Sequence, residues 1–312
     1  MELFDNFNTK FCKKAITSCF PQITVTDIQH NDEGWDNCVF LINHELIFRF
    51  PRSPEATWRL DLERRLLPEL QKVINTPIPQ FEFVSTDCPE FKRLFVGYRM
   101  IKGVPLTPTL LRQHHSDALT QKLTTQIAEF LSSLHSFPVE KALELGVSSN
   151  QKQERILTLY NEIQRKVFPI LKRQEQEWAR KRFESFLNNE QFFQYTPVLL
   201  HGDFSSDHIL FDNDQEKIGI IDFGDVSIGD PAGDFPCLAD YGAAFDQWVL
   251  AKYQGNIDST FLQRRTFYRD CIGFWEILGG IDLNNPKYVE IGLTRLRKTI
   301  QANKSKTRNV LL

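Results

Sequence analysis

Two short stretches carry residue types that could do chemistry: HGDFSSDHILFD at 201–212 and IGIIDFGD at 218–225. Asp203 sits in a loop after the apolar run PVLL, and Asp222 closes the apolar run IGII. Carboxylates at strand ends, on neighbouring loops, can converge on one point. Such a pair suits a divalent cation that bridges phosphate oxygens, because hard cations such as Mg2+ take oxygen ligands and keep several waters. His208 follows Asp203 by five positions and can add a neutral imidazole nitrogen, a softer ligand than an amide oxygen. Outside this constellation it would read as a hydrogen-bonded histidine packed under the loop. His201 is expected to fix the loop through hydrogen bonds rather than to transfer a proton.

The order and spacing resemble the protein-kinase pattern: an H-x-D loop, a metal ligand five residues beyond its aspartate, then D-F-G. In that pattern the first aspartate accepts the proton of the substrate hydroxyl and the D-F-G aspartate holds the metal. The match makes Asp203 the base and Asp222 the principal ligand, with His208 standing where the pattern has asparagine. A cation from the other half of the site must then hold the nucleotide phosphates. Arg49, mid-strand in ELIFRFPR, is the candidate; it shares one face with Ile47, and its planar fork can bind phosphate bidentately. Glu63 shares a helical stripe with Leu60, Leu67 and Leu70, where an unpaired carboxylate is costly. An Arg49–Glu63 ion pair would satisfy it and turn the guanidinium toward a cleft. NDEGWDN at 31–37, with the single glycine Gly34, is the loop expected over the phosphates. In YRMIKG at 98–103, backbone groups of Met100 and Ile101 are expected at a purine edge, and Tyr98 is expected to narrow the base pocket from behind.

The elements that position these residues follow from patterning. Over the first hundred residues, ITVTDIQ, NCVFLIN, ELIFRF, QFEFVS and RLFVGYRM alternate as strands of an antiparallel sheet. One helix interrupts them: SPEATWRLDLERRLL opens with Ser53 as cap and Pro54 in the first turn, and Pro68 limits or kinks its far end. After IKGVP the character changes. SDALTQKLTTQIAEFLSSLH places leucine, isoleucine and phenylalanine at helical spacing behind Ser116, and more helix is expected near 150–192, 234–253, 260–280 and 287–302. A short β section at 198–222 holds both motifs. The division is a nucleotide-binding lobe at 1–100, a hinge at 101–105 and a larger, mainly helical lobe at 106–312, with ligands favouring the crevice between lobes.

Composition bounds the partners. The chain of 312 residues has a formal net charge of −3, against the basic face that nucleic acid or an anionic membrane demands. No apolar run approaches the ~20 residues of a membrane span, and the N-terminus does not read as a signal peptide. The six cysteines are scattered without a C-x-x-C pair, which predicts free thiols in a reducing cytoplasm. Monomer is the default expectation.

HGDFSSDHILFD, IIDFGDVSIGDPAGDF and IKGVPLTP together resemble the aminoglycoside phosphotransferase family, over nearly the whole chain, and most of all its 2''-phosphotransferase branch, which also has histidine at the position of His208. The resemblance implies an α+β, protein-kinase-like two-lobed fold, a small antiparallel-sheet lobe plus a larger mainly helical lobe with a helical subdomain. It also implies Mg2+ with ATP or GTP as donor, and a bulky Tyr98 fits GTP use. By the same match Asp203 is the catalytic base, His208 and Asp222 are metal ligands, and Arg49 with Glu63 positions the phosphates. Asp230, before Pro231, reads as a helix cap without chemistry. Two departures stand out: Arg49 replaces the usual lysine, and the acidic run expected for a polycationic substrate is sparse. DFPCLADYG offers Asp234 and Asp240, with Asp246, Glu276 and Asp282 further on. The expected function is transfer of a γ-phosphate to a hydroxyl of a cationic small molecule, first an aminoglycoside. A macrolide or another small hydroxyl substrate is the alternative, and a pseudokinase comes last.

Overall fold

In the computed structural model, which describes residues 7–31, 36–113, 116–149 and 152–309, the elements follow the chain. They are α1 (Thr9–Cys19), β1 (Ile28–Asn31), β2 (Asn37–Ile42), β3 (Leu46–Pro51), α2 (Pro54–Leu70), β4 (Phe81–Ser85), β5 (Phe95–Arg99), β6 (Val104–Pro105), α3 (Pro108–Gln113), α4 (Asp117–His135) and α5 (Val139–Glu144). Then come α6 (Lys152–Glu162), α7 (Arg173–Leu187), β7 (Val198–Leu200), β8 (Ile209–Asp212), β9 (Lys217–Ile220), β10 (Ser227–Gly229), α8 (Ala243–Lys252), α9 (Phe261–Asp282) and α10 (Pro286–Asn309). The chain divides into two compact units, one of residues 1–148, 201–227 and 238–254, the other of 149–200, 228–237 and 255–312.

In the first unit the alternating runs form an antiparallel sheet of order β1-β2-β3-β5-β4. One face carries Phe40, Phe48, Phe50 and Phe95, which pack with Phe91 and are closed over by Cys12, Ala15 and Ile16 of α1. That helix, capped by Asn8 accepting the Phe11 N–H, was not expected from sequence. Gly97 lies opposite Phe48, where an added Cβ would come within 2.5 Å of the ring, so only glycine lets the strands pair there. The strand expected from Ile23 starts only at Ile28; Ile23 and Val25 join the phenylalanine core without pairing.

On the other face, Leu60 of α2 packs with Val96 of β5 and Leu94. Covering both faces overrides simple alternation: Arg49 is buried along with Phe48 and Phe50. Helix α2 begins as its sequence dictates, with the Ser53 hydroxyl accepting the Ala56 N–H, and Pro68 falls in its last turn without stopping it short of Leu70. The expectation of free thiols fails for two cysteines. Cys19 and Cys88 form a disulfide with Cα atoms 5.9 Å apart, while Cys12, Cys38, Cys237 and Cys271 stay outside any disulfide. Packing of α1 beside the segment before β5 joins positions 69 residues apart, a proximity that spacing along the chain does not reveal.

Both chemistry-bearing motifs also lie in the first unit, around the sheet β6-β8-β9. Gly103, at φ +131°, runs so close to Phe211 that a Cβ would meet its backbone at 2.7 Å.

The second unit is held by an apolar core that includes Tyr160, Phe183, Phe186, Phe267 and Phe274. Helices α9 and α10 approach backbone to backbone at Gly273, where a Cβ would lie 3.0 Å from the Gly292 carbonyl oxygen. Within this unit Arg264 is fully buried and donates to Asp230 at 2.6 and 3.0 Å and to Asp258 at 2.8 and 2.9 Å. Asp230 also accepts the Ala232 N–H at 3.0 Å, the capping bond expected of it. Among the described residues no helix is long and apolar enough to cross a membrane.

Hydrogen bonds from Arg264 hold the Asp258 carboxyl well below the usual carboxylate range, against the opposing effect of burial. Its stabilising contribution is therefore present above the unfolded pKa of about 3.9 and lost as pH falls toward the folded value. Replacing Asp258 by Asn should lower unfolding free energy by about 2 kcal/mol at neutral pH. Urea unfolding at about pH 7 and about pH 3 should show the difference from wild type narrowing with acid. A difference that stays constant would exclude the carboxylate charge as its source.

Candidate active site

The Arg49 guanidinium meets the Glu63 carboxylate in a two-pronged contact, Nη1 to Oε2 at 2.7 Å and Nη2 to Oε1 at 2.8 Å. Their side chains are 7% and 0% exposed, so both charges have left water and each depends on the other. Burial lowers the Arg49 pKa, but the Glu63 and Asp222 carboxylates outweigh it and raise the value. The Arg49 Nη2 also lies 3.5 Å from Asp222 Oδ1.

Asp222 follows β9 at φ +65°, a left-handed conformation that is costly for a residue with a Cβ, about 1–3 kcal/mol. Its other carboxylate oxygen, Oδ2, lies 3.5 Å from His208 Nε2. The opposite ring nitrogen, Nδ1, lies 2.8 Å from the Asp203 carbonyl and 3.5 Å from Asp203 Oδ2. A carbonyl oxygen can only accept, so Nδ1 carries the hydrogen and Nε2 is the nitrogen turned to Asp222. Buried His201 sits beneath the cluster, its Nε2 3.1 Å from the Ile221 carbonyl and its ring 4.8 Å from that of Phe223. It binds the two motifs together, in keeping with a loop-fixing residue. Gly202 is obligatory at φ +86°, because a Cβ would lie 2.1 Å from the Asp225 carbonyl oxygen.

Electrostatics sets the aspartates apart. Although about half of each side chain meets solvent, the surrounding protein penalises both charges. For Asp203 burial prevails over the opposing His208 and His201, and the carboxyl is raised. For Asp222 burial also acts upward, but Arg49 and His208, with a hydrogen bond from the Gly224 N–H, hold the carboxyl below its ordinary value. His208 is lowered by burial and raised more strongly by Asp203 and Asp222. One carboxylate is thus kept charged while its neighbour is made a somewhat better proton acceptor.

Other expected residues fare variously. Tyr98 is buried on β5 with its ring 5.7 Å from Phe81, and burial pushes its phenol up to about 12. The Met100 N–H donates to the Glu45 carbonyl at 2.8 Å, because the β3–β5 pairing runs on by one residue. That donor is therefore not open to a purine, which leaves the Met100 carbonyl and the Ile101 backbone groups of the expected set. Ile101 packs its side chain against Gly219, where a Cβ would lie 2.3 Å from Ile101 Cγ2. Gly34 lies outside the described residues. Asp240 is exposed in the first unit. In the second unit Asp234 is 1% exposed and Glu276 accepts from Arg295 Nε at 2.9 and 3.0 Å. Neither presents an open carboxylate in this arrangement: Asp234 is enclosed in the turn it ends, and Glu276 faces a cation from α10.

Sequence reasoning missed Arg59, Asp36 and Asp225. Arg59 lies one helical turn before Glu63, its Nη1 is 3.3 Å from Asp36 Oδ2, and it pairs with Asp225 Oδ1. The available signal was the acidic residue directly after D-F-G.

The donors fit a hard cation sharing its shell with phosphate. Among the described residues no group of three His, Cys, Asp or Glu side chains forms a self-sufficient metal cage. Mg2+ does not require one, since it is commonly held by one or two protein ligands, waters and substrate phosphates. Asp222 offers a charged oxygen and His208 an aimed nitrogen 3.5 Å away, close to the spacing of about 3 Å between adjacent ligands on one ion.

Comparison with known proteins agrees with this geometry. A family model described as the phosphotransferase enzyme family matches residues 27–268. The solved GDP and kanamycin complex of APH(2'')-IIIa superposes with a TM-score of 0.85 at 31% identity, covering 93% of this chain and 98% of that one. Viomycin phosphotransferase of Streptomyces vinaceus is 26% identical over 231 residues, 70% of this chain and 74% of that protein. A macrolide 2'-phosphotransferase of type I shares the fold at a TM-score of 0.73 and 17% identity, over 95% of this chain and 99% of that one.

Because the Arg49–Glu63 pair is desolvated, removing one partner should cost more than removing both. Glu63→Ala should destabilise the protein by about 3–5 kcal/mol, and Arg49→Met with Glu63→Leu should recover most of that stability. Denaturant unfolding of the three proteins measures this directly. A double variant as unstable as the single one would mean that the pair is not the source of the loss.

Proposed function

The chain belongs to the phosphotransferase enzyme family and is a small-molecule phosphotransferase, and from that premise we propose that it moves the γ-phosphate of GTP or ATP to the 2''-hydroxyl of an aminoglycoside. The observation that most supports this reading is the cluster of Asp203, His208, Asp222 and Arg49, three segments of the chain meeting within hydrogen-bond and ion-pair distances. In this reading residues 1–100 bind the nucleotide, 101–105 form the hinge, and 106–312 supply the catalytic loop and the acceptor site.

Asp203 accepts the acceptor hydroxyl's proton; its half-exposed, upward-shifted carboxyl suits that task. Arg49, held by Glu63, fixes the donor phosphates with a rigid fork. Asp222 and His208 would hold Mg2+, which neutralises charge on the phosphates when bound. Tyr98 limits the depth of the base pocket, and the Met100 carbonyl with the Ile101 backbone groups faces the purine edge. Of the carboxylates proposed for the acceptor, Asp240 is exposed, Asp234 is buried and Glu276 is paired with Arg295. The engagement of the last two also supports a second reading, the same transfer to a less cationic hydroxyl compound such as a macrolide.

One assay separates the readings. Purified protein is incubated with Mg2+, GTP or ATP, and a panel of kanamycin-type aminoglycosides, macrolides and simple amino alcohols, and nucleoside diphosphate release is followed. Release should depend on an aminoglycoside and fall by at least about 100-fold in Asp203→Ala. Release only with macrolides selects the second reading, and nucleotide binding with no acceptor-dependent release rejects both.

A further inference from the structure

Helix α2 reaches the 222–225 turn by two routes. One runs from Glu63 through Arg49 to Asp222. The other starts one helical turn earlier, on the same face, where Arg59 pairs with Asp225 and lies 3.3 Å from Asp36. Asp36 immediately follows the 31–35 stretch of the loop expected over the phosphates. Asp225 is the place where the catalytic segments touch: its carbonyl lies where a Cβ on Gly202 would be, next to Asp203, and it stands three residues beyond Asp222. Gly224 between them faces the same groups, a Cβ there coming into ordinary contact at 3.5 Å from Asp222 Oδ1 and 3.7 Å from Glu63 Oε1. A shift of Asp225 would therefore move the backbone beside both aspartates.

We propose that Arg59 is a positioning residue for the phosphoryl donor: it neutralises Asp36 and Asp225 and holds the 222–225 turn against α2 so that Asp222 stays aligned with Arg49. This rests on the reading of the Asp222–Arg49 cluster as the triphosphate site. A triphosphate is strongly anionic, and two uncompensated carboxylates beside it would repel it. Arg59, Asp36 and Asp225 are 37%, 44% and 51% exposed, so their pairing adds little to global stability. The effect of Arg59 should appear in donor affinity, not in thermal stability, and a purely structural ion pair would not give that split.

The test is titration of GTP and of ATP, each with Mg2+, into wild type, Arg59→Gln, Asp225→Asn and the double variant, with thermal melts of all four. Arg59→Gln should weaken binding of the better nucleotide about tenfold at a Tm close to wild type. Adding Asp225→Asn should restore much of the loss, because it removes the charge that Arg59 had masked. An Arg59→Gln Kd within about twofold of wild type overturns the proposal. So does a double variant as weak as Arg59→Gln alone, since the Asp225 charge that Arg59 is proposed to neutralise would then play no part. Failure of wild type itself to bind either nucleotide defeats the reading of the site along with the proposal; wild-type binding with an unaffected Arg59→Gln defeats the proposal alone.

Discussion

A guanidinium and a carboxylate taken wholly out of water are tolerable only if they meet each other with nearly ideal geometry. Arg49 and Glu63 do so, and that requirement fixes the distance between β3 and α2. The surrounding residues serve the same approach. Ser53 starts α2 at the right place, Leu60, Leu67 and Leu70 seat its apolar stripe, and Gly97 lets Phe48 fill the opposite face of the sheet. Their burial drives the association, while the ion pair selects its register. The same guanidinium then lies 3.5 Å from Asp222, so a packing constraint sets the position of a charge in the site.

The rest of the site depends on backbone that can come unusually close. Gly202 has no side chain where one would collide with Asp225, and Asp222 itself accepts a left-handed conformation. The strain is offset by the contacts that surround it: the Gly224 N–H, Arg49 and His208 all act on its carboxylate. The result is an anionic point that stays charged beside a carboxylate whose pKa moves the other way. Kinase-type chemistry asks for that division of labour, because phosphoryl transfer relies on positioning and charge neutralisation more than on covalent help from the protein.

Sequence made the local part of this legible. The spacing within HGDFSSDHILFD and IIDFGD identified Asp203, His208 and Asp222 as neighbours, and a lone carboxylate on a leucine stripe pointed to a buried partner for Glu63. The two-lobed α+β class followed from the switch of periodicity after residue 105 together with the family resemblance. What stayed hidden depends on tertiary encounters with no periodic signal. Cys19 meets Cys88 across 69 residues, Arg59 meets Asp36 and Asp225, Arg295 occupies Glu276, and one extra ladder bond takes the Met100 N–H. Helix α1 escaped because only Cys12, Ala15 and Ile16 of its eleven residues are fully buried, too few for a periodic signal.

The central claim is that Asp222 and His208 hold a triphosphate-bound cation beside Asp203, the proton acceptor. A crystal structure with Mn2+ and a non-hydrolysable GTP or ATP analogue tests it most directly, since Mn2+ reports its own position by anomalous scattering. The account predicts an anomalous peak within coordination distance of an Asp222 oxygen and His208 Nε2, at about 2.0–2.4 Å, with Asp203 beside the terminal phosphate and not bound to the nucleotide base. A triphosphate bound away from Arg49, or a metal that Asp222 does not touch, would contradict it.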